Sequence, residues 1–272
     1  MFRRRISALA LAAAAMAFPL AGCASSSDPN AIDSMGAMGD SISRGFDACA
    51  FLQECPASSW TTGTDVTVNS HFHRLLVKDP AIAGHAYNVA KVGATSADLP
   101  AQATALAARK PDYITVLMGA NDACADGEAS MTSVATFRSR IDTALNTIDR
   151  ARPDTHVLVT SVPDLYRLWQ VGHADARARL VWSAGFCRTM LDAPSSTAPA
   201  DVARRQRVRD RVIAYNGALA ASCRVHTGCR YDDGAVFANQ FTLTDLSPFD
   251  YFHPNAAGQQ KLAAVTWTKT GF

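Results

Sequence analysis

Tyr113-Ile114-Thr115-Val116-Leu117-Met118, followed at once by Gly119-Ala120-Asn121-Asp122, is the stretch from which the fold is read. Its first six residues lack the polar alternation of a strand with one wet face, and six are too few for a buried helix. A continuous run of this kind belongs inside a parallel sheet covered on both faces. Similar runs lie at residues 31–38, 86–89 and 156–162, with a weaker one at 230–237. Between them the apolar residues take helical spacing. Phe137, Ile141, Leu145 and Ile148 form one stripe, and Val208, Val212, Tyr215 and Leu219 another. The β/α alternation predicts an α/β protein, a three-layer α/β/α sandwich on a central parallel sheet. Residues 163–200 break the rhythm with Trp169, Trp182, Cys187 and a Pro- and Ser-containing loop. They are expected to form an insertion over one end of the sheet, where the two tryptophans either line a pocket or lid or pack in the core.

The chain has 272 residues, 48% hydrophobic and 18% charged, enough to bury a core. Its formal charge of +2 includes Arg3, Arg4 and Arg5 at the head of an acid-free segment; without them 23 basic residues face 24 acidic ones. That balance excludes a strongly electrostatic nucleic-acid binder. Arg204, Arg205, Arg207, Arg209 and Arg211 form a basic run on a helix. A solvated face is the first reading and anionic lipid binding the second.

The three arginines precede an apolar run from Ile6 to Gly22 that ends Leu20-Ala21-Gly22-Cys23, which reads as an export signal over residues 1–22. The ending resembles a bacterial lipobox, which implies acylation of Cys23 and a polar tether over 23–30. Simple cleavage after Ala24 and an uncleaved anchor are the alternatives. Six further cysteines, Cys49, Cys55, Cys124, Cys187, Cys223 and Cys229, suggest three disulfides in an exported chain. Fifteen pairings exist. The two spacings of six, each in turn-like sequence, favour Cys49–Cys55 and Cys223–Cys229, leaving Cys124 with Cys187. Zinc is disfavoured by the lack of a Cys-x-x-Cys pair, and His71 and His73, two apart, read as surface or packing residues.

Reactive groups of an open parallel sheet belong on loops leaving the carboxyl ends of the strands. Four loops qualify. Gly39-Asp40-Ser41 follows the first run; Ser41 is expected to open a helix, either as a nucleophile over its N-terminus or as a plain N-cap. Gly93 permits close approach of backbone to a ligand, or is an ordinary loop glycine. In Gly119-Ala120-Asn121-Asp122 the Asn121 amide can donate to an oxyanion, or the segment is a common turn. In Asp250-Tyr251-Phe252-His253 the spacing of three lets the carboxylate reach Nδ1 of the imidazole and free Nε2 as a base, although a lone His before Pro is often structural.

Taken together, in this order and spacing, the blocks Gly39-Asp40-Ser41, Gly93, Gly119-Ala120-Asn121-Asp122 and Asp250-Tyr251-Phe252-His253 resemble the SGNH (GDSL) hydrolases. Asp164-Leu165-Tyr166-Arg167-Leu168-Trp169 and the six cysteines look like secreted bacterial GDSL lipases and esterases, some of which are phospholipases. Met38 stands where many members carry Phe. The resemblance implies the flavodoxin-like sandwich over 31–272 and a serine esterase or lipase. Ser41 would be the nucleophile, His253 the base and Asp250 its orienting acid, with Ser41, Gly93 and Asn121 forming the oxyanion hole. Asp40 and Asp122 are expected in structural, hydrogen-bonding roles. No metal or cofactor is required. The expected partner is a small-molecule or lipid ester, with no nucleic acid, and with the membrane surface reached through the lipid anchor of a monomer. A carbohydrate O-deacetylase and a non-catalytic lipid- or glycan-binding lipoprotein are the alternatives, the latter opposed by all five positions being filled.

Overall fold

A computed structural model describes residues 31–272; the expected leader, tether and Cys23 lie outside the described residues. In chain order the elements are β1 (Met35–Gly39), α1 (His71–Lys78), β2 (Ala86–Asn88), α2 (Leu99–Ala107), β3 (Tyr113–Leu117), α3 (Ala120–Ala123), α4 (Val134–Ala151), β4 (His156–Val159), α5 (Leu165–Gly172), α6 (Ala176–Trp182), α7 (Arg188–Leu191), α8 (Pro199–Cys223), β5 (Cys229–Tyr231), α9 (Ala235–Ala238) and α10 (Ala256–Trp267). The five strands form one parallel sheet in the order β2-β1-β3-β4-β5. Every residue of β1 and β3 is buried, as the unbroken apolar runs require.

Alternation along each strand divides the core into two faces. Ile114, Val116, Val157 and Val159 meet the stripes of α2, α4 and α8 in one cluster. Met35, Tyr113 and Leu158 join Phe72 and Leu75 of α1, and Leu117 joins Leu262 and Ala263 of α10. These are the three layers. His71 belongs to the second face: fully buried, it bonds Tyr113 Oη at 2.7 Å and Thr266 Oγ1 at 2.8 Å, while burial lowers its pKa to about 3 and keeps it neutral. His73 bonds Asn69 nearby. Among the described residues no helix is long and apolar enough to cross a membrane.

Two sequence expectations need correction. The last strand covers only Cys229–Tyr231, because the Asp232 carboxylate accepts from the Gly234 and Val236 N–H groups and the Ser161 hydroxyl. This turn places Val236 and Phe237 in α9 instead of the sheet. The basic run of α8 is only in part a solvated face: Arg207 is exposed, but its neighbours are drawn into contacts. Arg205 is 1% exposed, with its guanidinium 4.4 Å from the Trp169 ring centroid. Arg204 donates to the carbonyls of Thr189 and Asp192, Arg207 pairs with Glu128, and Arg209 pairs with Asp164. The arginines fasten α8 to neighbouring segments, including the region between β4 and α8, which leaves little of the run for lipid.

Disulfides join Cys49–Cys55, Cys124–Cys187 and Cys223–Cys229. The second spans 63 residues and ties the segment after β4 to the end of α3; the others span six each. Restriction of the unfolded chain grows with the logarithm of loop length. Replacing Cys124 and Cys187 with serine is therefore expected to cost about 4 kcal/mol, and opening either short loop about 2 kcal/mol. Urea unfolding of the double variants measures the difference; equal losses would contradict it.

Candidate active site

The site begins where β1 stops. Gly39 has φ +153°, and a Cβ there would lie 2.5 Å from the Leu117 carbonyl oxygen, so no other residue fits. The Gln102 amide grips both polar groups of Gly39, accepting from its N–H at 2.8 Å and donating to its carbonyl at 2.9 Å. Asp40 Oδ1 accepts from Ile42 N–H at 2.9 Å and begins a reversal. Contrary to expectation, Ser41 opens no helix. Arg44 and Phe46 N–H both return to the Ser41 carbonyl, and Gly45, at φ +62°, turns the chain toward Cys55, whose N–H it accepts. A side chain at Gly45 would meet the Cys55 carbonyl at 2.5 Å. Nor is Ser41 an N-cap, because its hydroxyl lies 2.7 Å from His253 Nε2.

The loop ahead of α10 supplies the imidazole. Asp250 Oδ1 accepts from the Phe252 and His253 N–H groups, and Oδ2 lies 2.5 Å from His253 Nδ1. Tyr251 bridges the turn at φ +52°, held by Trp182 Nε1 on its carbonyl. Burial pushes the Asp250 carboxyl up, but the bond from His253 and the two backbone donors outweigh it and hold it below the ordinary carboxylate range. The ionised carboxylate only accepts, so Nδ1 carries the proton and Nε2 is left to accept from Ser41. The rings of Phe46 and Phe252 stand edge-on to the imidazole at 5.1 and 5.0 Å. An imidazole so oriented can take the serine proton.

Three loops at this end of the sheet carry N–H groups with no hydrogen-bond acceptor. Among the described residues, the N–H groups of Ser41 and Gly93 bond to nothing. Gly93 sits exposed at φ +74° in a turn closed by Ala94 N–H on the Lys91 carbonyl, with open space where a Cβ would be. Asn121, in α3 beyond β3, donates one amide proton to the Ala94 carbonyl at 2.8 Å and keeps the other. Asp122 braces the same two loops: it accepts from the Ser96 N–H and hydroxyl at 2.8 and 2.6 Å. Gln102, Asn88 (which donates to Ser43 O) and Gln259 (which donates to Ile42 O) are supports that sequence reasoning missed. A lone amide on an apolar helix stripe was the signal available for Gln102.

A largely apolar cavity lies next to these residues, lined by their chain neighbours and not by Ser41, Asn121 or His253 themselves. Ile42 follows Ser41, Ala120 precedes Asn121, and Phe252 and Pro254 flank His253; Leu168 and Phe241 extend the lining. Neither Trp169 nor Trp182 lines it. Trp182 is 2% exposed and packs on Gly172, and Trp169 carries Arg205.

Residues 37–261 match the model of the GDSL-like lipase/acylhydrolase family, and the chain belongs to that family. It is accordingly a carboxylic-ester hydrolase. No curated protein matches it. Among solved structures, the α/β hydrolase enzyme LAE5 from the metagenome of Lake Arreo, Spain, is 18% identical with a TM-score of 0.54, over 88% of this chain and 94% of its own. An extracellular lipase from Streptomyces rimosus is also 18% identical, with a TM-score of 0.48 over 87% and 99%. Phospholipase A1 from Streptomyces albidoflavus is 16% identical, with a TM-score of 0.47 over 87% and 98%. At such identity the likeness to LAE5 is one of fold.

Asp40 carries a cost that can be measured. Burial pushes its carboxyl up to about 7, and Oδ2 has no partner. The folded chain then holds a proton that the unfolded chain has lost above about pH 4, so stability falls as pH rises through that window to 7. Asp40→Asn keeps an acceptor for Ile42 and cannot ionise. Its loss of unfolding free energy between about pH 5 and about pH 8 should be smaller than that of the unmodified protein by about 2 kcal/mol, read by urea titration. Identical losses would show that Asp40 does not titrate in this range.

Proposed function

We propose that the chain hydrolyses esters of hydrophobic acyl groups through an acyl-enzyme on Ser41. The observation that carries this reading is the hydrogen-bonded series Asp250–His253–Ser41. As Ser41 Oγ attacks the ester carbonyl, His253 Nε2 takes its proton, and Asp250 stabilises the imidazolium and holds its ring. The carbonyl oxygen, now negative, is received by the N–H groups of Ser41 and Gly93 and the free amide proton of Asn121. Collapse expels the alcohol, which takes the proton from His253. Water, deprotonated by the same nitrogen, then attacks the acyl-serine; the acyl–Oγ bond breaks, His253 returns the proton to Ser41 Oγ, and the carboxylic acid leaves.

The apolar cavity beside the triad supports a hydrocarbon acyl chain over an acetylated sugar, which would gain little from such walls. Phe51, Leu52 and Phe249 add exposed apolar surface, with Phe51 and Phe249 ring centroids 6.1 Å apart. Phe249 adjoins Asp250 in sequence. We read residues 31–272 as the catalytic domain of an exported protein. The three disulfides fit an oxidising compartment, and the leader and lipobox-like ending fit acylation of Cys23 at the cell envelope.

Hydrolysis of p-nitrophenyl esters from acetyl to palmitoyl is expected to peak beyond the short chains. Leu168→Trp, which fills the cavity, should move the peak to shorter esters. Ser41→Ala should abolish turnover and fluorophosphonate labelling, and Asn121→Ala should lower kcat by about 10²–10³. Labelling of Ser41→Ala at the unmodified level would refute the nucleophile, and a peak at acetyl would refute the acyl pocket.

A further inference from the structure

One buried acid near the triad has no part in the mechanism above. Asp47 is fully buried, yet neither of its carboxyl oxygens has a hydrogen-bond partner. A buried carboxylate left without donors is among the costliest groups a protein can hold. Its surroundings resolve the difficulty. One oxygen of Asp47, one of Asp250 and a ring nitrogen of His253 all lie within 4.8 Å of one another. Two carboxyls this close inside a protein do not readily both ionise, and a single proton between them relieves both the repulsion and the missing donor.

We propose that Asp47 is a positioning residue of this site: its carboxyl keeps a proton on the side facing the ionised Asp250 and so sets the charge behind the His253 imidazole. The proposal rests on the triad reading given above. The loop is built to hold Asp47 there. Its backbone takes φ +57°, its N–H donates to the Gln53 carbonyl at 2.8 Å, and the Cys49–Cys55 bridge closes the segment directly after it. Asp250 and His253 are the titratable groups that face it. Arg44, on the same loop, is turned away to Glu54 and the Asn88 carbonyl. Burial first, and Asp250 second, push the Asp47 carboxyl up to about 6.

A bound cation is the rival occupant for three such side chains. His253 Nδ1 argues against it, because that nitrogen already spends its proton on Asp250 at 2.5 Å and offers no lone pair to a metal.

The consequence is a pH effect of definite sign. When Asp47 loses its proton, a second negative charge stands behind His253 and favours the imidazolium, which cannot act as base. Asp47→Asn removes that charge and keeps a donor for Asp250. The acid limb of its kcat/KM profile is expected to move to lower pH by about half a unit or more. Asp47→Ser, smaller and also uncharged, should move it the same way and, with a poorer donor, lower kcat as well. Unmoved acid limbs in folded variants would overturn the proposal. So would loss of activity in EDTA with recovery on adding a divalent cation, which would assign the cluster to a metal. Ser41-dependent turnover in the unmodified protein, measured alongside, separates this failure from failure of the triad itself.

Discussion

The site depends on how tightly β1 can end against β3. Gly39 presses its Cα toward the Leu117 carbonyl in a conformation closed to side chains, and Gln102 reaches from α2 to satisfy both of its backbone groups. A backbone N–H and C=O stranded there would each cost about 1–3 kcal/mol. With them satisfied, the chain can leave the sheet abruptly and deliver Ser41 within two residues. β1 has β2 on one side and β3 on the other, so this is also where the winding direction reverses. Loops from adjacent carboxyl ends diverge at such a point and leave a crevice. The serine follows β1, Gly93 follows β2 and Asn121 follows β3.

Around that crevice the protein concentrates buried carboxyls, and the environment of each decides its state. Asp250 has a ring N–H and two backbone donors, and stays ionised. Asp122 receives the Ser96 hydroxyl and N–H and acts as a brace between loops. Asp40 has one backbone donor for two oxygens, and Asp47 has none, and both hold their protons to higher pH. Burial alone does not separate Asp250 from Asp40 and Asp47; the three donors aimed at Asp250 set it apart from the two carboxyls that have one donor or none. Part of the stability gained in the core is thus spent on holding charge-prone groups near the serine.

Much of this organisation is legible in the chain itself. Continuous apolar runs mark β1, β3 and β4 because both faces of the sheet are covered, and the stripes of α4 and α8 keep their period because each packs on one side only. Ser41, Asp250 and His253 announce themselves through short-range spacing. Other features depend on partners far along the chain. The turn after Ser41 is forced by Gly45 meeting Cys55, and the end of β5 by Asp232 bonding Ser161. Gln102 and Gln259 act on residues 63 and 217 positions away. Asp47 is unremarkable until the fold sets it against Asp250. The arginines of α8 mislead for a related reason: their composition suggests solvent, but their length lets them reach carbonyls and acids of other segments.

The segment between β4 and α8 gives the molecule a division of labour. It contributes Leu168 and neighbours to the cavity wall but none of the groups of the hydrogen-bonded series. It is rooted in the main core through Leu165, Ala178, Trp182, Met190 and Leu191, and fastened by one disulfide to the end of α3, by arginines of α8 on its carbonyls and on Asp164, and by Trp182 on the Tyr251 carbonyl. Such a piece is wall and buttress at once. A different cap grafted between the same two anchor points would reshape the cavity wall, but it would leave the hydrogen-bonded series undisturbed only if it also replaced the Trp182 bond to the Tyr251 carbonyl.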